Sequence, residues 1–199
     1  MATASKKTST SAAGPARKTA ARKAPARSSS ARKSTSPMEA TALLRADHKR
    51  VSALFEQYEA TRSQAKKKSL VATICTELSV HAQVEEEIFY PAVKAALKDK
   101  EMVPEATVEH ATLKELIAQV EGKEPDGEMF DAKIQVMSEY VKHHVKEEQN
   151  EMFPKARASK LDMTALGERI AARKEELMAA LGAPGAPLGL ISKVVDAFA

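Results

Sequence analysis

The 199 residues predict an all-α fold: an up-down-up-down four-helix bundle, an additional C-terminal helix and a disordered N-terminal tail. Three observations carry this. Apolar residues between positions 37 and 181 recur in steps of three and four, with almost no strand alternation. The breaks between these stretches are short, which favours neighbouring helices running antiparallel. The first 37 residues hold nine Lys/Arg, no Asp or Glu, and no Val, Ile, Leu or Phe. Such a segment buries too little apolar surface to offset its ordering entropy.

The tail spans residues 1–36 and repeats Ala-Arg-Lys at 16–18, 21–23 and 31–33. In composition it resembles histone tails, and Ala31–Thr35 reads ARKST. Three readings stand: sequence-independent attraction to nucleic acid through residues 6–33 by counterion release, a solubilising arm, and an Arg/Ser-rich transit peptide. The net charge of +4 averages two unlike regions, since residues 38–199 carry 22 basic against 27 acidic residues, a net of −5. One cysteine, Cys75, excludes an internal disulfide and is expected as a core thiol. No apolar run reaches about 18 residues, so no membrane partner is expected. The N-terminus lacks the apolar region of a secretory signal, so a cytoplasmic location is expected, nucleoid-associated if the tail binds DNA.

Ser36-Pro37-Met38-Glu39 reads as a helix start, with Ser as cap, Pro at the first helical position and Glu three after the cap. Helices are expected near 37–61, 66–99, 104–121, 127–158 and 163–181. Thr61-Arg-Ser63, Met102-Val-Pro104 and Gly122-Lys-Glu-Pro-Asp-Gly127 separate them. Residues 37–158 then form the bundle, and 159–199 a capped helix (Asp162) with an apolar coda.

The seams are legible residue by residue. The first helix gives Leu44, His48, Val51, Phe55 and Tyr58; the second Val71, Ile74, Leu78, His81, Glu85, Ile88 and Ala92. The third gives Ala106, His110, Leu113, Ile117 and Val120; the fourth Ile134, Met137, Val141, His144, Glu148 and Met152. Four of the five histidines and two glutamates thus fall on otherwise apolar stripes. His81/Glu85 and His144/Glu148 share a helix face by their i, i+4 spacing. His143, about 100° off the seam, is expected at the surface or beside the site.

Unpaired buried carboxylates cost several kcal/mol each, and no Lys or Arg sits on these stripes. Carboxylate–imidazolium pairs offer one remedy; metal binding is another. A repeat organises the six. The interval from His48 to His81 matches that from His110 to His144 to within a single position. The strings HAQVEEEIFYP and HHVKEEQNEMFP, aligned on their prolines, set the two His-x-x-x-Glu motifs in one register. Four imidazoles and two carboxylates exceed one tetrahedral zinc. They suit two metals, each with two histidines, spanned by two carboxylates, and mixed N/O ligation fits iron or manganese. Pro91 and Pro154 are expected to bend the second and fourth helices beyond the site.

These residues resemble the hemerythrin-like, or HHE cation-binding, domain. Both strings are close to that family's, and the likeness covers about residues 38–158, with the fifth helix similar to extensions in bacterial members. The resemblance implies a non-haem di-iron centre, two iron ions before manganese, with His48 and His81 on one iron, His110 and His144 on the other, and Glu85 and Glu148 bridging. Oxygen-carrying hemerythrins have a further His four residues after the third-helix ligand, where Lys114 stands here. The resemblance therefore implies an open position, and redox turnover, peroxide or NO reactivity or iron sensing rather than reversible oxygen carriage. Asp47 and Glu109, each just before a seam histidine, read either as partners of the ligands or as solvated charges.

Three functions follow from the sequence: a di-iron protein binding or sensing O2, peroxide, NO or iron; a di-iron redox enzyme decomposing peroxide or reducing NO or O2; and a nucleoid-associated protein acting through its tail. No catalytic residue is assigned, although Tyr140, one turn before His144, reads as a packing residue or proton donor. Leu166, Ile170, Leu177 and Leu181, with Ile191, Val194 and Phe198, either cover the bundle or form a homodimer contact.

Overall fold

The computed structural model describes residues 38–182. The basic tail, the Ser36–Pro37 start signal, and Ile191, Val194 and Phe198 lie outside the described residues. Every regular element among the described residues is helical: α1 (Ala40–Ala60), α2 (Gln64–Val84), α3 (Tyr90–Leu97), α4 (Met102–Val120), α5 (Glu128–Glu147), α6 (Phe153–Ala158) and α7 (Met163–Gly182). A π-helical turn, Glu85–Phe89, joins α2 to α3, and a second, Glu148–Met152, joins α5 to α6. The four rods are thus α1, α2–α3, α4 and α5–α6, and α1 neighbours α2 while α4 neighbours α5. Among the described residues no helix is long and apolar enough to cross a membrane.

Local chemistry explains the ends. The Ser63 hydroxyl accepts from the Lys66 N–H at the start of α2, and the Asp99 carboxylate accepts from the Val103 N–H in the first turn of α4. Asp162 caps α7, its Oδ1 accepting from the Thr164 and Ala165 N–H groups at 3.1 and 2.9 Å. Gly127, with φ of 129°, turns the chain into α5 through a region that other residues rarely adopt.

The first helix starts later than expected. Glu39 is extended, with φ −67° and ψ 155°, and α1 begins at Ala40. The cause is α7. A Cβ at Gly167 would lie 2.1 Å from the Met38 carbonyl oxygen and 2.9 Å from the Ala40 nitrogen. The entering chain lies close against α7 in this extended form, an approach that leaves no room for a Cβ at position 167.

All seam residues are buried except Ala92, which is half-buried. They form two apolar bodies. One contains Phe55, Tyr58, Ile74, Cys75, Ile117 and Met137. The other contains Leu44, Phe89, Tyr90, Val93, Phe153 and, from α7, Leu166 and Ile170. Along every rod the seam histidine lies between the two, so a polar layer crosses the core. Helix α7 rests on α1, α2 and the first π turn, and its Leu166 and Ile170 are buried against the bundle of their own chain. Cys75 is a core thiol, its pKa pushed up to about 12 by burial.

Candidate metal centre

The two π turns set the site. In each, the wide turn closes with an N–H five residues on: Tyr90 donates to the Glu85 carbonyl, and Phe153 to that of Glu148. Pro91 and Pro154 follow at once and have no N–H to continue a tighter ladder. The expected proline bend therefore takes the form of one extra residue in the turn. It advances the inward face by about 100°, which is why Val93 rather than Ala92 is fully buried. Glu85 and Glu148 open these turns, and Tyr90 and Phe153 close them against the centre.

All six sequence-predicted residues come together. His48, His81, Glu85 and Glu148 offer donor atoms within 4.8 Å of one another, as do Glu85, His110 and His144. His48 Nε2 faces His81 Nε2 at 2.9 Å, and His110 Nε2 faces His144 Nε2 at 3.2 Å. Glu85 Oε2 stands between the pairs, 3.3 Å from His81 Nε2 and 3.4 Å from His110 Nε2. Glu148 Oε2 does likewise, 3.3 Å from His48 Nε2 and 3.6 Å from His144 Nε2.

Each imidazole turns its Nδ1 outward to a further group. His144 Nδ1 meets Glu109 Oε2 at 2.7 Å and His110 Nδ1 meets Glu86 Oε1 at 3.0 Å. The Gln149 amide faces His48 Nδ1 at 2.9 Å, and Asp47 Oδ2 lies 3.7 Å from His81 Nδ1. Asp47 and Glu109 are thus buried partners of the site, each serving the second histidine of its half rather than its sequence neighbour. Lys114 points to Glu86, bonding both oxygens at 2.8 and 2.7 Å. His143 is exposed, with Nε2 3.2 Å from Glu147.

Sequence reasoning missed Tyr90. Its hydroxyl donates to Glu148 Oε1 at 2.9 Å, and lies 3.2 Å from His110 Nε2 and 3.4 Å from Glu85 Oε2. Among the described tyrosines, Tyr90 rather than Tyr140 reaches the cluster. The signal was the repeat: Tyr90 and Phe153 stand at matching positions, each directly before its proline. Phe153 stacks on His48 with ring centroids 5.8 Å apart. Glu86 and Gln149 match in the same way, each directly after the repeated glutamate.

The electrostatics favour a cation. Burial, and then the charge of Glu148, push the Glu85 carboxyl well above its ordinary range. For Glu148 burial works upward, but the approach of His48 and the charges of His144, His48 and His81 together pull it down. Burial depresses His81 to about 4 and lowers His110, keeping both rings neutral and free to donate a lone pair. His144 is opposed by burial yet raised overall by Glu109 and Glu148.

Six donors in this state fit transition-metal cations. Two donors about 2.1 Å from such a cation, about 90–110° apart, are themselves ~3.0–3.4 Å apart; the two facing Nε2 pairs measure 2.9 and 3.2 Å. Glu85 Oε1 and Glu148 Oε2 are buried without a hydrogen bond. Among the described residues no lysine or arginine pairs with either carboxylate. Facing imidazole nitrogens and orphaned carboxylate oxygens are groups that a cation between them would satisfy.

The fold matches the crystal structure of a hemerythrin HHE cation binding domain-containing protein, the Rv2633c homologue from Mycobacterium kansasii, with a TM-score of 0.66 at 21% identity, over 78% of this chain and 98% of that one. A DNA nickase from Nostoc sp. is 26% identical over 116 residues, 58% of this chain and 33% of the nickase. The chain thus spans about a third of that relative's length. Residues 39–156 match the family model for the hemerythrin HHE cation binding domain. With four helices converging on a buried His/Glu cluster, and with that match, the chain belongs to the hemerythrin HHE cation-binding domain family.

Proposed function

We propose that the chain holds two iron ions in this centre, His48 and His81 on one, His110 and His144 on the other, Glu85 and Glu148 spanning both, and that it binds or senses O2, peroxide, NO or iron. The observation that carries the reading is the pair of fully buried carboxylates, each with an orphaned oxygen, among four imidazoles whose Nε2 atoms face inward. Iron bound there supplies open coordination positions and a change of oxidation state. The protein's own part is positioning and exclusion. Carboxylates facing Nδ1 orient His110 and His144, the Gln149 amide faces His48 Nδ1, the two apolar bodies close the polar layer at either end, and Tyr90 holds a proton against Glu148. Burial and the two carboxylates keep that phenol protonated.

The test is metal content per chain with an optical spectrum before and after peroxide. Two irons, lost in His81→Ala and Glu148→Ala, are expected; one zinc per chain, or metal uptake indifferent to both substitutions, overturns the reading. Sustained gas release from peroxide over many turnovers would move the protein from the sensing class to the enzyme class.

A second reading rests on the basic tail and on the similarity to a protein named a DNA nickase. On it, residues 6–33 hold nucleic acid non-specifically in the cytoplasm, with the metal domain as their cargo. Deleting residues 1–35 should abolish salt-sensitive DNA retention and leave metal content unchanged. Unchanged retention removes this reading.

A further inference from the structure

The inner six residues obey the internal repeat, but the groups behind them do not. Glu109 reaches His144 Nδ1 at 2.7 Å. Its counterpart in the first half, Asp47, is one methylene shorter and stops 3.7 Å from His81 Nδ1. Asp47 Oδ2 and His81 Nδ1 are both left without a hydrogen bond. The other Asp47 oxygen is taken by Lys174 of α7. Behind His110 stands a carboxylate, Glu86, at 3.0 Å, shared with Lys114. At the matching position behind His48 stands an uncharged amide, Gln149, whose oxygen accepts from Arg45 at 2.7 Å.

These differences point the same way. Around the His48/His81 position the outer groups are Asp47, Lys174 and Arg45, with Glu77 and Arg50 paired behind Lys174, a formal net of +1. Around the His110/His144 position they are Glu86, Glu109 and Lys114, a formal net of −1. A carboxylate accepting from Nδ1–H makes the opposite nitrogen a better donor to a cation, and loss of such a partner changes affinity by about 10–100-fold. Net positive charge nearby weakens cation binding further.

We propose that the two cation positions are unequal: the His110/His144 position binds tightly and fills first, and the His48/His81 position is labile because Lys174 of α7 competes with His81 for Asp47. This rests on the two-cation reading above. With cation scarce, the chain sits half-loaded and exchanges one ion while keeping the other. The added helix, absent from the four-rod core, is then the element that sets how readily the second ion leaves.

The experiment is stepwise titration of the metal-free, full-length chain with Co2+, followed by its visible bands and by chelator competition. Wild type should bind in two steps at least ~10-fold apart, the weaker one abolished by His48→Ala and the tighter one by His110→Ala. Lys174→Met, and separately Asp47→Glu, which restores the missing methylene with Lys174 still in place, should strengthen the weaker step by about 10-fold. Glu109→Asp should weaken the tighter one. Two equal steps overturn the inequality, and a weaker step that neither Lys174→Met nor Asp47→Glu moves overturns the role given to Lys174 and Asp47; both outcomes leave the two-cation reading standing. No Co2+ uptake by the centre in wild type overturns both.

Discussion

Glu85→Gln should act on the metal-loaded chain and barely on the metal-free one. Glu85 is fully buried, and burial together with Glu148 favours its neutral acid without a cation. An amide has nearly the shape of that neutral acid, and its NH2 faces the lone pairs of His81 and His110, 3.3 and 3.4 Å from the oxygen it replaces. Metal-free stability should therefore change by no more than about 1 kcal/mol. With cations bound, the same substitution removes a charged donor shared by both positions. Breaking a buried, compensated charge pair costs about 3–5 kcal/mol, and a chain of this size shifts by about 2–4 °C in melting temperature per kcal/mol. The loaded variant should then melt roughly 6–20 °C below loaded wild type. The assay is a pair of thermal melts for each protein, with saturating cation and with chelator. Equal losses in both conditions, or a cation-induced gain as large in the variant as in wild type, would refute the reasoning.

Gly167→Ala should destabilise by about 1–3 kcal/mol in a urea titration, because the new Cβ meets the Met38 carbonyl oxygen at 2.1 Å and overpacking outweighs the better helix propensity of alanine. In the metal-free chain His81 titrates near 4 instead of 6.5. The unfolded chain thus takes up a proton that the folded one refuses. Stability from this group is fully present above about pH 6.5 and is lost as pH falls toward about 4, by up to ~3 kcal/mol. His110 adds to that trend and His144 opposes it, so His81→Asn should flatten the urea midpoint-against-pH curve without inverting it. Tyr90→Phe strips Glu148 Oε1 of its hydrogen bond and should lower metal-free stability by about 1–3 kcal/mol in the same urea assay.

The four rods and the six donors were legible because the seams are strictly periodic: a histidine or glutamate on an apolar stripe must face the core wherever the helix stays α-helical. Periodicity fails where the geometry changes. The π turns insert one residue after Glu85 and Glu148, so a uniform α-helical phase puts Ala92 where Val93 faces the core and assigns Tyr90 to no face. Prolines in both repeats mark the spot, but a missing N–H alone does not say whether the chain will bend or widen. The start of α1 was misplaced for a different reason. Glu39 and Pro37 carry helix-start chemistry, and the contact that overrides it comes from Gly167, near the other end of the described chain. The outer partners divide likewise. Asp47 and Glu109 could be singled out beside seam histidines, whereas Glu86, Gln149 and Lys174 lie off the seams and are brought in only by packing.

The repeat also separates what the centre requires from what it can vary. Replacing any one of the inner six residues deletes a donor from a cation, and those positions are the same in both halves. A residue one bond further out changes how strongly a donor gives, and there the halves differ at every matched pair: Asp47 against Glu109, Gln149 against Glu86, and Phe153 against Tyr90. The aromatic pair divides the labour most sharply. Phe153 stacks on His48 and can only shield it, while Tyr90 sets a hydroxyl within reach of Glu148 and His110. The hydroxyl proton therefore lies on the His110 side, where Glu86 and Glu109 also place the greater negative charge. If two cations bind as proposed, the His110 half would hold its ion beside that proton, and the His48 half would be the one to let its ion go.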